Sequence, residues 1–341
     1  MIAEVEYRSK RSAPKFSGAA EDIVFSGLGL DSDTTIILVD SGKAALAIVL
    51  DFFQKNGQIT SEKNELFTPQ WIGSWVYNII LKKCLPVNFP HKETAGIMIY
   101  HQYGYPQNMH QLLVESKRNN WFVIEDCAHS IKSFSSGERL GLIGDAGIFS
   151  FSKFFPSQMG GAIVTKRKDL AKFAHAQATS HLSWTSSAAY WSKWLSTSNS
   201  LPLRLRKKAN VIVEMSYNTY DSGTQITKRV LEIVAQELAQ GSLAIRKENA
   251  AYFANELPCS GLIEPAANTD ITPYVLPLFR DGSDLRHLQD RLRKINIDAG
   301  IYLFDSAQNM LNPVFKPCLR LPVHPGITPK IREQIVKVVN H

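Results

Sequence analysis

The stretch GDAGIFSFSKFFPSQMGGAIVTK, residues 144–166, carries two apolar runs of strand type, AGIFSFS (146–152) and GAIVTK (161–166). The residues between them, 153–160, are too few for the crossover helix that a parallel pair of strands requires, so these two runs read as antiparallel neighbours. Lys153 stands at the end of the first run, before two phenylalanines, a proline and the pair Gly160–Gly161, which lets the chain turn back. Two readings of Lys153 are open on these residues alone. It is a lysine on a hairpin rim, or a nucleophile whose amine is activated at a buried strand end.

Outward from this stretch the pattern is different. Strand-like runs TTIILVD (34–40), NELFTP (64–69), GIMIYH (96–101) and WFVIED (121–126) alternate with helix-like segments. These are KAALAIVLDFFQKNG, GSWVYNIILKKC and NMHQLLVESKRN, the last with Asn108 as its cap. Repeated strand and helix predict an α/β fold with a mostly parallel, mixed sheet flanked by helices. Beyond about residue 224 the alternation stops. TQITKRVLEIVAQELAQGSLAIRKENAAYFANEL reads as two helices broken near Gly241, followed by strands in ITPYVLPLF and INIDAGIYLF and helices in SDLRHLQDRLRK and TPKIREQIVKVVN. We expect an N-terminal arm and large domain over residues 1–235 and a smaller α+β domain over residues 236–341.

Bulk properties bound the possibilities. The chain has 341 residues, 44% hydrophobic and 20% charged, as in ordinary globular proteins. No apolar run approaches the ~18 residues of a membrane span, and the N-terminus lacks the apolar core of a signal peptide, so a cytoplasmic protein without a membrane span is expected. Four cysteines lie far apart without metal-ligand spacing, so reduced thiols and no metal are expected. The net charge of +7 suits an anionic ligand. The densest basic group, RLRKK (204–208), follows a Trp- and Ser-rich stretch and is a solvated face or a contact with an anionic substrate or membrane surface. No nucleic-acid-binding motif is present.

In open α/β sheets ligands bind outside the carboxyl ends of the strands. After TTIILV comes DSGKAAL, where Ser41, Gly42 and Lys43 sit at a strand-to-helix turn of the kind that binds phosphate, or at an ordinary turn. It is not a P-loop, because the upstream glycine is missing and Lys43 is followed by Ala44. After WFVIE comes Asp126, a helix cap or a partner for a cationic group, with His129 three residues on. Ser150 and Lys153 end the next run. GLIGDAG (141–147) precedes a strand, which excludes it as a dinucleotide loop. One chemistry uses all these groups together: pyridoxal 5'-phosphate needs a phosphate site, an acid for its ring nitrogen and a lysine amine for its aldehyde.

The order of the motifs resembles the DegT/DnrJ/StrS family of sugar aminotransferases, pyridoxal-phosphate enzymes of fold type I. DSGKAALAIVL is similar to the family's SGTAAL phosphate loop, TPQWIGS to the segment whose aromatic stacks on the cofactor, and IYHQYGYPQNMHQL to HLYGxPxDMDxI. VIEDCAHSIKS resembles VIEDAAHAxGA, MSYNTY resembles GYNYRM, and LRLPVHPGIT resembles LPLHPxLT. The 143–165 stretch is similar to GDxxxFSFxxxKxxxxGEGGAxVT. The resemblance implies that Ser41, Gly42, Lys43 and Ser150 meet the cofactor phosphate, that Trp71 stacks on its ring and that His129 lies beside it. Asp126 would hold the ring nitrogen and Lys153 would form the imine. Asn218 would reach the phosphate of a neighbouring subunit, implying a homodimer with shared sites. The implied activity moves an amine, from glutamate as the usual donor, to a keto group of a nucleotide-linked sugar in polysaccharide or glycoconjugate biosynthesis. Two departures stand out: Lys43 replaces the family's threonine, and one residue rather than three separates Phe151 from Lys153. They motivate a non-catalytic regulatory or scaffold relative as an alternative. A dehydratase of the same family is a second one, against which Lys153 argues, because that branch carries histidine there.

Overall fold

The structure, a computed structural model, describes residues 3–4, 20–31, 33–178, 191–195, 225–258, 261–263, 268–340 and a few positions between 202 and 211. A seven-stranded sheet runs in the order Thr35–Val39, Gly161–Thr165, Ala146–Ser150, Phe122–Asp126, Thr94–Tyr100, Glu65–Phe67, Leu85–Val87. Gly161–Thr165 is antiparallel to both its neighbours and every other pair is parallel, as the link through Lys153, too short for a crossover helix, predicts.

The inner strands read as continuous apolar runs because both faces are covered. Met98, Phe122, Ile124, Ile148 and Ile163 point into a core shared with the Gly42–Lys55, Ser74–Leu81 and Lys168–Gln177 helices. Alternate residues point the other way. Ile97, Ile99 and Val123 meet Met109 and Leu112 of the Met109–Asn119 helix. Phe149, Ala162 and Val164 meet Val24 and Leu28 of Ala20–Leu28 and Val234 and Ala235 of Lys228–Ala239. The predicted helix start at Asn108 is observed, its side chain accepting from the Gln111 N–H at 3.4 Å. The break near Gly241 is also observed: Gly241 adopts φ 74° between Lys228–Ala239 and Ser242–Glu256.

A separate core, built from Phe253 to Val339, joins the Ser242–Glu256, Gly282–Lys294 and Pro329–Asn340 helices to a three-stranded antiparallel sheet. The central strand of that sheet, Phe315–Pro322, was not anticipated, and it holds two prolines, which lack the N–H that a central strand donates. The register explains the tolerance. Pro317 faces Leu303, while the other neighbour, Val275–Leu278, reaches only from Leu319 to Pro322. Pro317 therefore has a partner strand on one side only. Gln102 clasps the two parts of the chain: its side chain donates to Leu303 O at 2.8 Å and accepts from Asp305 N at 3.1 Å.

Candidate active site

The pairing register brings the site together. Tyr100 lies opposite Asp126, Asp126 opposite Ile148, Ser150 opposite Gly161 and Gly161 opposite Val39. The ends of five strands thus lie within two residues of one another along one edge of the sheet.

At that edge Ser41 is the N-cap of the 14-residue Gly42–Lys55 helix, its Oγ accepting from the Ala44 N–H at 3.1 Å. The hydroxyl keeps its own proton for an incoming acceptor, and the first N–H groups and dipole of the helix favour an anion. Glycines bring the neighbouring chain close. A Cβ on Gly161 would lie 2.5 Å from Gly42 N and from Ser41 C, and one on Gly42 would lie 3.0 Å from the Ser150 Cβ. The glycine pair therefore has two tasks. Gly160, at φ 101°, makes the turn, and Gly161 admits the Ser41–Gly42 backbone.

Asp126 is half-buried, its Oδ1 accepting from the Ala128 N–H at 3.0 Å. Burial pushes its pKa above the ordinary carboxylate range, opposed by that hydrogen bond and by the positive charge of Lys153. His129 stacks on Tyr274, with centroids 4.1 Å apart at 10°, and its Nδ1 lies 2.6 Å from the Tyr100 hydroxyl. Burial, then the positive charges of Lys153, Arg320 and Arg246, hold the His129 pKa well below its ordinary value, so the ring stays neutral. Lys153 lies in the one-turn helix Phe151–Phe154 that directly follows the Ser150 strand end. Its ammonium acts electrostatically on both Asp126 and His129.

Trp71 is 55% exposed and lines a pocket with Tyr100, Gln102, Asp305 and Phe315. Lys43 is turned toward Trp75, its Nζ 5.4 Å from that ring's centroid. Asn218 lies outside the described residues.

Sequence reading missed the support beneath Asp126. Glu125 is fully buried, and its two oxygens accept from Gly141, Ile143 and Gly144 N–H groups at 2.7–2.8 Å and from His101 Nε2 at 3.1 Å. His101 Nδ1 accepts from the Gln107 N–H at 3.3 Å, which places the ring proton on Nε2. Cys127 completes a compact His–Glu–Cys group, but the carboxylate oxygens are already occupied by four donors, so the group reads as a buried brace. The available signal was an acid inside the apolar run WFVIED.

Residues 91–340 match the sequence profile of the DegT/DnrJ/EryC1/StrS aminotransferase family. The chain belongs to this family. Among curated relatives, it is 41% identical over 80 residues to the GDP-perosamine synthase of Escherichia coli O157:H7, covering 23% of this chain and 22% of that protein. It is 38% identical over 82 residues to the dTDP-3-amino-3,6-dideoxy-alpha-D-galactopyranose transaminase of Aneurinibacillus thermoaerophilus, covering 23% of each. These matches thus span under a quarter of each relative's length. Over the whole chain the fold is similar to that of Helicobacter pylori PseC, an aminotransferase involved in pseudoaminic acid biosynthesis. The TM-score is 0.69 at 13% identity, covering 100% of this chain and 98% of that one.

Proposed function

We propose that this family member is a pyridoxal-phosphate-dependent aminotransferase that moves an amine from an amino-acid donor, glutamate in the first instance, to a keto group of a nucleotide-linked sugar. The observation that carries the proposal is the placement of Asp126, His129 and Lys153 on adjacent strand ends beside the Ser41 helix cap. The donor set fits the cofactor. A helix N-terminus with two hydroxyls suits a phosphate, and a half-buried carboxylate that is costly to ionise alone suits a protonated ring nitrogen. When bound, pyridoxal phosphate supplies an electron sink for ionising a C–H bond next to nitrogen.

The chain's own residues then have separable tasks. Ser41, Gly42 and Ser150 hold the phosphate. Asp126 keeps a proton on the ring nitrogen through a charge pair. Trp71 and His129 bound the ring, and Tyr100 orients His129. Lys153 would supply the amine that holds the cofactor aldehyde and would serve as the proton-carrying group of the site. Lys43, whose Nζ lies 5.4 Å from the Trp75 ring centroid, is the further candidate for a phosphate contact at this turn. A lysine at position 153 argues against the dehydratase reading. We further propose a homodimer completed by Asn218, a cytoplasmic location and a division into large and small domains near residue 235. Among the described residues no helix is long and apolar enough to cross a membrane.

Lys153→Ala tests the assignment. The wild-type chain should take up pyridoxal phosphate with a protein-dependent visible absorption band, and the variant should lose the band. Amine transfer should fall by at least the ~10²–10⁴-fold that proton transfer contributes. Full-rate transfer by the variant would falsify the proposal.

A further inference from the structure

The turn that carries Lys153 is short and buried, and its carbonyl end needs a donor. Phe151, Phe154 and Phe155 are completely buried, and Phe155 N–H closes the single turn onto Phe151 O at 2.8 Å. The last carbonyls of a helix have no partner within it. Arg246, itself fully buried on the Ser242–Glu256 helix, supplies one: its Nη2 donates to Phe154 O at 2.9 Å, and its guanidinium lies 4.7 Å from the Phe154 ring centroid. Its Nη1 donates to Tyr274 O at 3.0 Å, and Tyr274 is the residue whose ring stacks on His129. One guanidinium therefore bridges the residue after Lys153 and the residue behind His129.

A buried cation is a poor choice for stability alone, since well-packed apolar side chains of similar volume do as well or better. A planar fork that fixes two carbonyls in one geometry is suited to holding position. We propose that Arg246 is a positioning residue for the reaction, holding the shortened turn so that Lys153 and His129 face the same ring. The inference rests on the aminotransferase reading of this site. The clamp gives a physical reason why a turn shorter than the family's can still present its lysine. Arg246 reaches the backbone on either side of the site, at Phe154 O and Tyr274 O, so its effect is on geometry and local field.

The experiment compares wild type with Arg246→Met and Arg246→Lys. Three readouts are used: melting temperature, the pH dependence of Lys153 labelling by an amine-acylating reagent in cofactor-free protein, and kcat and KM with pyridoxal phosphate bound. Labelling is followed by mass spectrometry. In Arg246→Met, Lys153 labelling at neutral pH should change at least threefold and kcat should fall at least tenfold, with both substrate KM values within about threefold of wild type. Arg246→Lys keeps the charge but reaches one carbonyl, so it should fall between the two. Unchanged labelling and kcat in a folded Arg246→Met protein, with only a lower melting temperature, would overturn the proposal. If Arg246→Met does not fold, Arg246→Lys decides by the same criteria, and wild-type labelling and kcat in that variant overturn it. A wild-type chain that shows no Lys153-dependent cofactor band would instead sink the aminotransferase reading.

Discussion

At the scale of the residue, burial sets the two titrating groups of the site in opposite directions. Asp126 has its pKa raised, so the native chain holds that proton more tightly than the unfolded chain does, and its contribution to stability declines as pH rises through the ordinary carboxylate range to the raised value. Asp126→Asn removes this penalty. The cofactor-free variant should melt higher than wild type at pH ~7.5 but bind pyridoxal phosphate at least about tenfold more weakly, ~1.4 kcal/mol. Scanning calorimetry and a cofactor titration check both halves, and a variant with lower melting temperature and undiminished affinity would refute the assignment. His129 has its pKa lowered, so the unfolded chain takes up a proton below about 6.5 that the native ring refuses. Native stability should fall as pH drops through that value. His129→Gln keeps an acceptor for the Tyr100 hydroxyl and does not titrate, so its melting temperature should drop less than wild type's between pH ~7 and ~5.5. Equal drops in the two proteins would show that His129 contributes nothing to acid sensitivity. Asp126, His129 and Lys153 were legible as candidates because each ends or follows an apolar run. Their partners Tyr100, Glu125 and Tyr274 were not, because nothing local distinguishes a buried supporting group from an ordinary strand residue.

At the scale of the element, the site depends on two backbones approaching without a side chain between them. A methyl group on Gly161 would sit 2.5 Å from Gly42 N, so the strand or the helix N-terminus must move. Gly161→Ala should cost the ~1–3 kcal/mol typical of overpacking and should cause loss of cofactor on dialysis. Gly73→Ala, where no atom lies within 4 Å of the added carbon, serves as the control and should retain both stability and cofactor. Retention of cofactor by Gly161→Ala would show that the phosphate turn does not depend on this contact. The Gly42–Lys55, Ser74–Leu81 and Met109–Asn119 helices and the inner strands were legible from periodicity, whereas the Ala20–Leu28 and Lys168–Gln177 helices were not anticipated. Leu85–Val87 and Phe315–Pro322 were not, since one is three residues long and the other holds prolines whose missing N–H groups matter only once the neighbours are known.

At the scale of the whole molecule, the site sits where the seven-stranded sheet meets the C-terminal part of the chain. Tyr274 and Arg246 come from beyond the large sheet, and Gln102 ties the two parts together at Leu303 and Asp305. The proposed dimer belongs to this scale. Sedimentation should show a two-chain species, and dilution below its dissociation constant should release pyridoxal phosphate. A fully active monomer would remove Asn218 from the site. The amino-acid sequence by itself determined the strand–helix alternation of the large sheet, the antiparallel strand within it, the helix start at Asn108 and the place of Lys153 at a strand end, because these follow from periodicity, turn residues and loop length within a few neighbours. Tertiary structure alone decided that Glu125 pairs with His101 beside the Asp126 strand end, that Lys43 turns toward Trp75 and that Arg246 holds the Lys153 turn. Those partners are separated by 24, 32 and 92 residues, and local sequence carries no record of which distant groups the sheet register will bring within a hydrogen bond or ring contact.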